Sequence, residues 1–226
     1  MTFQGFGSPA LPFFKALKFH QSKDWFEANR ATYETAIRAP MGDLVKETAA
    51  RLAKAKIPLK GDRKTSLFRL HRDVRFSANK DPYKTHAGLV MTRDGSKNDP
   101  GLIYFHLSPD GCFFAAGFHL PEPDELARLR AATVRAPKAF KQMTAKLAQA
   151  GLTLSAEGAL KRAPRGYEDV VDPEIAQAVR LKSMVCERPV SDTLIRKRAL
   201  VGELLSFASG SLPLLMWGWG ALADSR

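Results

Sequence analysis

The apolar residues of this chain change period twice along its 226 residues, and that constrains the fold more than any single motif does. Near the N-terminus the spacing is helical. In "KDWFEANRATYETAIR", Phe26, Asn29/Arg30, Tyr33 and Ile37 recur every three or four residues, the mark of a one-sided helix. Ser22 is placed to cap it, and Asp24 and Glu27 lie near its positive end. Ser8 is expected to cap a shorter helix that begins at Pro9. Pro40 is expected to restart the chain, and Leu44, Val45, Thr48 and Leu52 predict a third helix after it.

In the middle the period falls to two. Over residues 67–76, Phe68, Leu70, Val74 and Phe76 share one parity, while Arg69, His71, Asp73 and Arg75 share the other. Such alternation predicts a strand with one buried face. Arg72 interrupts the apolar parity. It is expected either to pair with Asp24 or Glu27 or to line a pocket between sheet and helices, because a buried guanidinium is rarely left alone. "THAGLVM", "LIYFHL" and "CFFAAGFHL" read as further strands, the last two joined by the turn "SPDG". Helical spacing returns at 123–135 and at 137–150. After the loop "ALKRAPRGYED", Asp172 caps "PEIAQAVRL", "SMVCERPV" reads as one more strand, and a terminal helical region begins at Ser191. Strands clustered between runs of helices predict an α+β fold with a mostly antiparallel sheet, flanked by N-terminal and C-terminal helices. No Pro-, Gly- or Ser-rich linker divides the chain, so a single domain over 1–226 is expected.

Charge narrows the partners. The formal net charge is +12. Residues 51–88 hold eleven Lys and Arg against three acids, an excess of +8. Such a balance attracts phosphorylated ligands, nucleic acid or anionic membrane. The two cysteines, Cys112 and Cys186, have no metal-ligand spacing and read as reduced thiols. No basic start followed by an apolar run opens the chain, so a cytoplasmic protein is expected. The apolar "SLPLLMWGWGALA" falls short of the roughly 20 residues of a spanning helix, so no transmembrane segment is expected and a buried terminal helix is.

The chemistry concentrates in "LFRLHRDVRFSANKDPYKTHAG", residues 67–88. Guanidiniums that flank a carboxylate are oriented by it and keep donors free for a phosphate or carboxylate. Arg72, Asp73 and Arg75 have that arrangement, and Lys80, Tyr83 and Lys84 follow on a loop stiffened by Pro82. If a reaction occurs, Tyr83 beside Lys84 is the acid/base candidate, since an adjacent ammonium favours the phenolate. In "KRAPRGYED", Lys161, Arg162 and Arg165 surround Pro164 and Gly166, a second loop suited to close approach by a ligand. His71, His86, His106 and His119 fall on predicted strands, but no short metal-ligand motif joins them, so no metal site is expected. No phosphate loop and no G-x-S-x-G elbow is present, and no cofactor is indicated.

"FRLHRDVRFSANKDPYKTH" resembles the signature of a bacterial and fungal family called domain of unknown function 2461. The opening "FFKALKFHQSKDWFEANRATYETAIRAP" is similar to that family's N-terminal region, and "RAPRGYED" to its later loop. The resemblance marks Arg72, Asp73, Arg75, Phe76, Lys80, Pro82, Tyr83, Lys84 and His86 as motif positions, with Arg162, Pro164 and Gly166 in the loop. It implies a compact α+β domain and supplies no activity. Three readings stand. The first is a pocket for a small anionic ligand, in an enzyme or a binding protein, built from Arg72, Asp73, Arg75, Lys80, Tyr83, Lys84, His86 and Arg162. The second is a nucleic-acid-binding module using the basic stretch 51–88. The third is a scaffold whose motif is structural. The small anion is favoured over nucleic acid.

Overall fold

The computed structural model describes residues 2–75 and 78–223. Helix α1 spans Ala10–Phe19 and α2 Lys23–Tyr33; a π-helical turn, Glu34–Arg38, leads directly into α3, Ala39–Lys54. Strands β1 (Ala87–Thr92), β2 (Leu102–Leu107) and β3 (Cys112–Phe118) follow, then α4 (Pro123–Arg135), α5 (Pro137–Gln149) and α6 (Pro173–Ala178). Strand β4 (Met184–Val190), α7 (Asp192–Ile195) and α8 (Leu200–Ala223) complete the chain. The strands form one four-stranded antiparallel sheet in the order β1-β2-β3-β4. The fold is α+β, as the periodicity implies.

Two compact units make up the chain. One holds the chain up to Asp99, Tyr104–Phe114 and Pro189–Ser206; the other holds Pro100–Ile103, Ala115–Arg188 and the chain from Phe207. The first unit buries Phe3, Phe6, Phe14, Ile37, Leu44 and Phe105. Its rings form a chain of contacts, with centroids 5.4 Å apart for Phe3–Phe6, 5.9 Å for Phe6–Phe105 and 5.5 Å for Phe105–Phe114. The second buries Phe118, Leu129, Phe140, Leu147, Met184 and Phe207. In it Gly117 has φ +126°, and a Cβ there would lie 2.1 Å from the Met184 carbonyl oxygen, so only glycine fits where β3 approaches β4. Both cysteines are free and buried.

Several local expectations hold for the reasons given. Ser22 accepts from the Trp25 N–H at 3.3 Å, Asp172 accepts from the N–H groups of Glu174 and Ile175, and "SPDG" joins β2 to β3. Others are corrected. Helix α1 begins at Ala10 with Pro9 as its N-cap and no side-chain cap; the Ala10 N–H is taken by the Gly7 carbonyl instead. Pro40 does not restart the chain. The Ala39 N–H reaches back five residues to Glu34, and this wider turn carries the helix past a residue that has no N–H to give.

The predicted strand over 67–76 is not a regular strand. Leu67 bridges Leu89 and His71 bridges Tyr83, both antiparallel, but residues 68–70 face the longer run 84–88. That mismatch bulges the ladder and cancels the strict two-residue parity. Phe76 lies outside the described residues. The terminal helix differs in length: α8 has 24 residues and so is long and apolar enough to cross a membrane, because it starts well before the apolar tract counted in the sequence. Val201, Leu204, Phe207, Ala208, Leu214 and Leu215 along it are buried in protein, the pattern of a core helix.

Candidate functional site: a basic cavity

A cavity of about 710 Å³ lies within the first unit. One wall is helical. Phe26, Arg30, Tyr33, Ile37 and Met41 recur at the spacing of one helix face, and the π-helical turn adds Glu34 and Arg38 beside them. Single π turns inside helices are frequent at functional sites. The other wall is the bulged ladder, with Leu67 to His71 on one side and Lys84, Ala87 and Gly88 on the other. The Phe68 N–H donates to Gly88, the Arg72 N–H to Pro82 and the Lys84 N–H to Leu70, which fixes the two segments against each other. Arg63, Lys64 and Lys97 complete the lining.

Arg30, Arg38, Arg63, Lys64, Arg69, Lys84 and Lys97 all line the cavity, and Glu34 is the one acid among the described lining residues. Three of these cations are neutralised locally. Arg30 holds Glu27 at 2.5 and 2.8 Å, Arg38 holds Glu34 at 3.1 Å, and Arg63 holds Asp43. Arg69 reaches Asp73 only at 3.8 Å. Among the described residues, no carboxylate pairs with Lys64, Lys84 or Lys97. Desolvation lowers the Lys84 pKa, and the charges of Arg69, Arg72 and Lys97 lower it further. Desolvation lowers Lys97 as well. Burial raises the Tyr33 phenol, which stays protonated as a hydrogen-bond donor.

What positions the lysines is an aromatic ring. The Lys84 ammonium lies 5.6 Å, and that of Lys97 5.1 Å, from the centroid of Phe68. A ring attracts ammonium groups through its quadrupole without neutralising them. The Lys97 ammonium also donates to the Leu67 carbonyl at 2.5 Å. Its loop is braced: the Asp94 carboxylate accepts from the Ser96 N–H at 2.6 Å, and the Thr92 hydroxyl donates to the Ser96 carbonyl at 2.7 Å. Phe68 in turn packs edge-on against Tyr104 at 6.0 Å. A Cβ on Gly88 would meet the Tyr104 hydroxyl at 2.5 Å, so the bare glycine admits that ring.

Tyr104 belongs to a second cluster beside the lysines. Its hydroxyl lies 3.0 Å from His106 Nδ1, and the His106 ring is 4.7 Å from Phe113 and 4.6 Å from His86. Burial, then the His86 charge, pushes His106 down to about 4. Burial lowers His86 too, helped by Lys84 and Arg72. Burial pushes the Tyr104 phenol up to about 12. Two imidazoles and a phenol are thus held neutral next to unneutralised cations.

The residues singled out in the sequence divide between places. Lys84 lines the cavity, and His86 lies near enough for its pKa to feel Lys84. Arg72 lies close to both, with its Nε buried and without a hydrogen-bond partner among the described residues. Among the described residues neither Asp24 nor Glu27 pairs with Arg72; Glu27 is taken by Arg30, one helical turn away. Asp73 and Arg75 form an exposed bidentate pair at 3.0 and 2.7 Å, and the Arg75 side chain is 75% exposed. The Lys80 ammonium donates to the Val74 carbonyl at 3.0 Å. Tyr83 is buried and stacks on Phe26 at 4.8 Å. Burial, then the Glu27 charge, raises its pKa, the opposite of the shift expected from an adjacent ammonium. Arg162 belongs to the second unit and is exposed on its loop, where the Gly166 N–H donates to Glu168.

Sequence reasoning missed Arg30, Arg38 and Lys97 as lining residues. The helical spacing of Arg30 with Tyr33 and Ile37 carried part of the signal. Lys97 carried none, since its loop matches no phosphate-binding pattern.

The family model described as "Conserved hypothetical protein (DUF2461)" matches residues 9–217, and the chain belongs to that family. No curated protein matches the chain, and no solved structure does.

Proposed function

We propose that the first unit binds a small anionic ligand in this cavity, with Lys84 and Lys97 as its principal contacts and Arg69 and Lys64 closing around it. The observation that carries the reading is Lys84. It is a half-buried ammonium with no carboxylate partner among the described residues, and three further cations surround it. A protein gains nothing in stability from such an arrangement, because like charges repel and desolvation adds to the cost. A bound anion supplies the missing counter-charge through charge-assisted hydrogen bonds. The neutral Tyr33 phenol offers a further donor.

The same excess of charge would also serve nucleic acid. The cations, however, converge on a concave site lined partly by Ile37, Met41, Leu67 and Leu70, which suits a small molecule better than a duplex or strand. Calorimetric titration of phosphate, pyrophosphate and small carboxylates into the wild type and Lys84→Met tests the reading. An anion that binds the wild type and loses at least tenfold in affinity to Lys84→Met supports it. Equal binding to both proteins, or no binding to either, overturns it. Nucleic acid that binds at low salt while none of the small anions do would favour the nucleic-acid reading.

A further inference from the structure

The charge and size of the cavity say more about its ligand than its sign. Seven cationic side chains line it. Among the described residues Glu27, Glu34 and Asp43 pair with three of them, and Asp62 lies within electrostatic reach of Lys64, while Asp73 is held by Arg75. Seven against four leaves an excess of three positive charges, carried by Arg69, Lys84 and Lys97. A carboxylate brings one negative charge and a phosphate monoester about −1.5 to −2, so neither meets that excess. A diphosphate, with about one charge more than the monoester, does.

Volume points to something attached to the diphosphate. At about 710 Å³ the cavity falls among sites that hold whole organic ligands, about 300–1,000 Å³, and exceeds what an inorganic anion fills. Its remaining surface is of the right kind. Ile37, Met41, Leu67 and Leu70 offer apolar area, and the Tyr33 phenol, kept protonated by burial, offers a donor to an uncharged polar group. Phe68 holds two of the three unmatched cations to one ring, and Arg69 acts on Lys84 as well, so the positive charge is concentrated around that ring.

From this we infer that the ligand is an organic diphosphate, with its phosphates at Lys84, Lys97 and Arg69 and its organic part along the helical wall. The inference rests on the anion-binding reading above and specifies it.

The test is calorimetric titration in magnesium-free buffer at fixed salt with four probes: adenosine diphosphate, adenosine monophosphate, inorganic pyrophosphate and orthophosphate. The diphosphate is expected to bind at least tenfold tighter than the monophosphate and at least tenfold tighter than pyrophosphate. In Lys97→Met the preference for diphosphate over monophosphate should shrink at least threefold, because one of the three matching charges is gone. A monophosphate within tenfold of the diphosphate overturns the charge match, and pyrophosphate within tenfold overturns the organic part. In both cases the anion site itself stands. An unchanged preference in Lys97→Met removes that lysine from the phosphate end. If none of the four probes binds, the anion-binding reading fails together with the inference.

Discussion

Lys84 and Arg75 stand nine residues apart in one basic motif, yet their surroundings are opposite. Arg75 lies in solvent and holds Asp73 in a two-point hydrogen bond, so its charge is balanced where it stands. Lys84 is half-buried against Phe68, its neighbours are Arg69, Arg72 and Lys97, and among the described residues no carboxylate reaches it. The Asp73 cluster resembles the surface ion pairs that contribute little to a fold. The Lys84 cluster is an unfavourable arrangement that a ligand would relieve. A count of basic residues does not separate the two. The position of the acids does.

The largest effect that would sharpen this contrast is expected from Lys84→Met. It should weaken anion binding by about 10–100-fold, or about 1.5–3 kcal/mol for a lost charged hydrogen bond. The ligand-free protein should melt at the same temperature or higher, because the substitution removes repulsion from Arg69, Arg72 and Lys97. A lower melting temperature without ligand would mean that Lys84 supports the fold.

Next in size is an effect of acid. The His106 pKa is pushed down to about 4 from an unfolded value near 6.5. The folded state therefore favours the neutral ring. Stability from this source is complete above pH 6.5 and is lost as pH falls toward 4. With allowance for solvent screening the loss is about 1–2 kcal/mol. Denaturant midpoints for wild type and His106→Gln should diverge at pH 7 and converge by pH 4. Parallel pH profiles would show that His106 is not held neutral by the fold. Lys84 bears on binding in the other direction along the scale. Its pKa is lowered in the free protein and a bound anion raises it, so anion affinity should decline as pH rises into the range where free Lys84 loses its proton.

Phe68→Leu removes no charge but frees both lysines from their ring. Each cation–π contact at such a site is worth about 0.5–1 kcal/mol, so losing both should lower affinity about 5–30-fold. Unaltered affinity would show that the lysines are positioned by other means. The smallest effects are expected on the exposed side of the comparison. Asp73→Asn should leave the denaturant midpoint unmoved, and Arg75→Lys should leave anion affinity unmoved, since that pair is solvated and apart from the cavity lining. A clear loss of binding in Arg75→Lys would erase the distinction between the two clusters.

Much of the architecture was legible because local spacing reports local geometry. The helical periods of residues 23–37 and 44–52, the Ser22 and Asp172 caps and the "SPDG" turn each depend on neighbours within a few residues. Two features failed for a common reason. The parity over residues 67–76 assumes a ladder of equal arms, whereas 68–70 face 84–88, and the bulge redirects alternate side chains. The Pro40 break assumed a normal helical turn, whereas the π-helical turn from Glu34 absorbs the proline.

By itself, the sequence determined which elements form, because period, caps and turn residues act over a few residues, and it determined that a large positive charge must be placed somewhere near residues 51–88. Only the tertiary structure decided which of those charges are neutralised. Asp43 meets Arg63 across 20 positions, and Lys97 comes to share Phe68 with Lys84 only once the braced loop after β1 has folded back. Electrostatic energy depends on distance in space, not along the chain, so the difference between a solvated ion pair and an unmatched cation cannot be read from spacing.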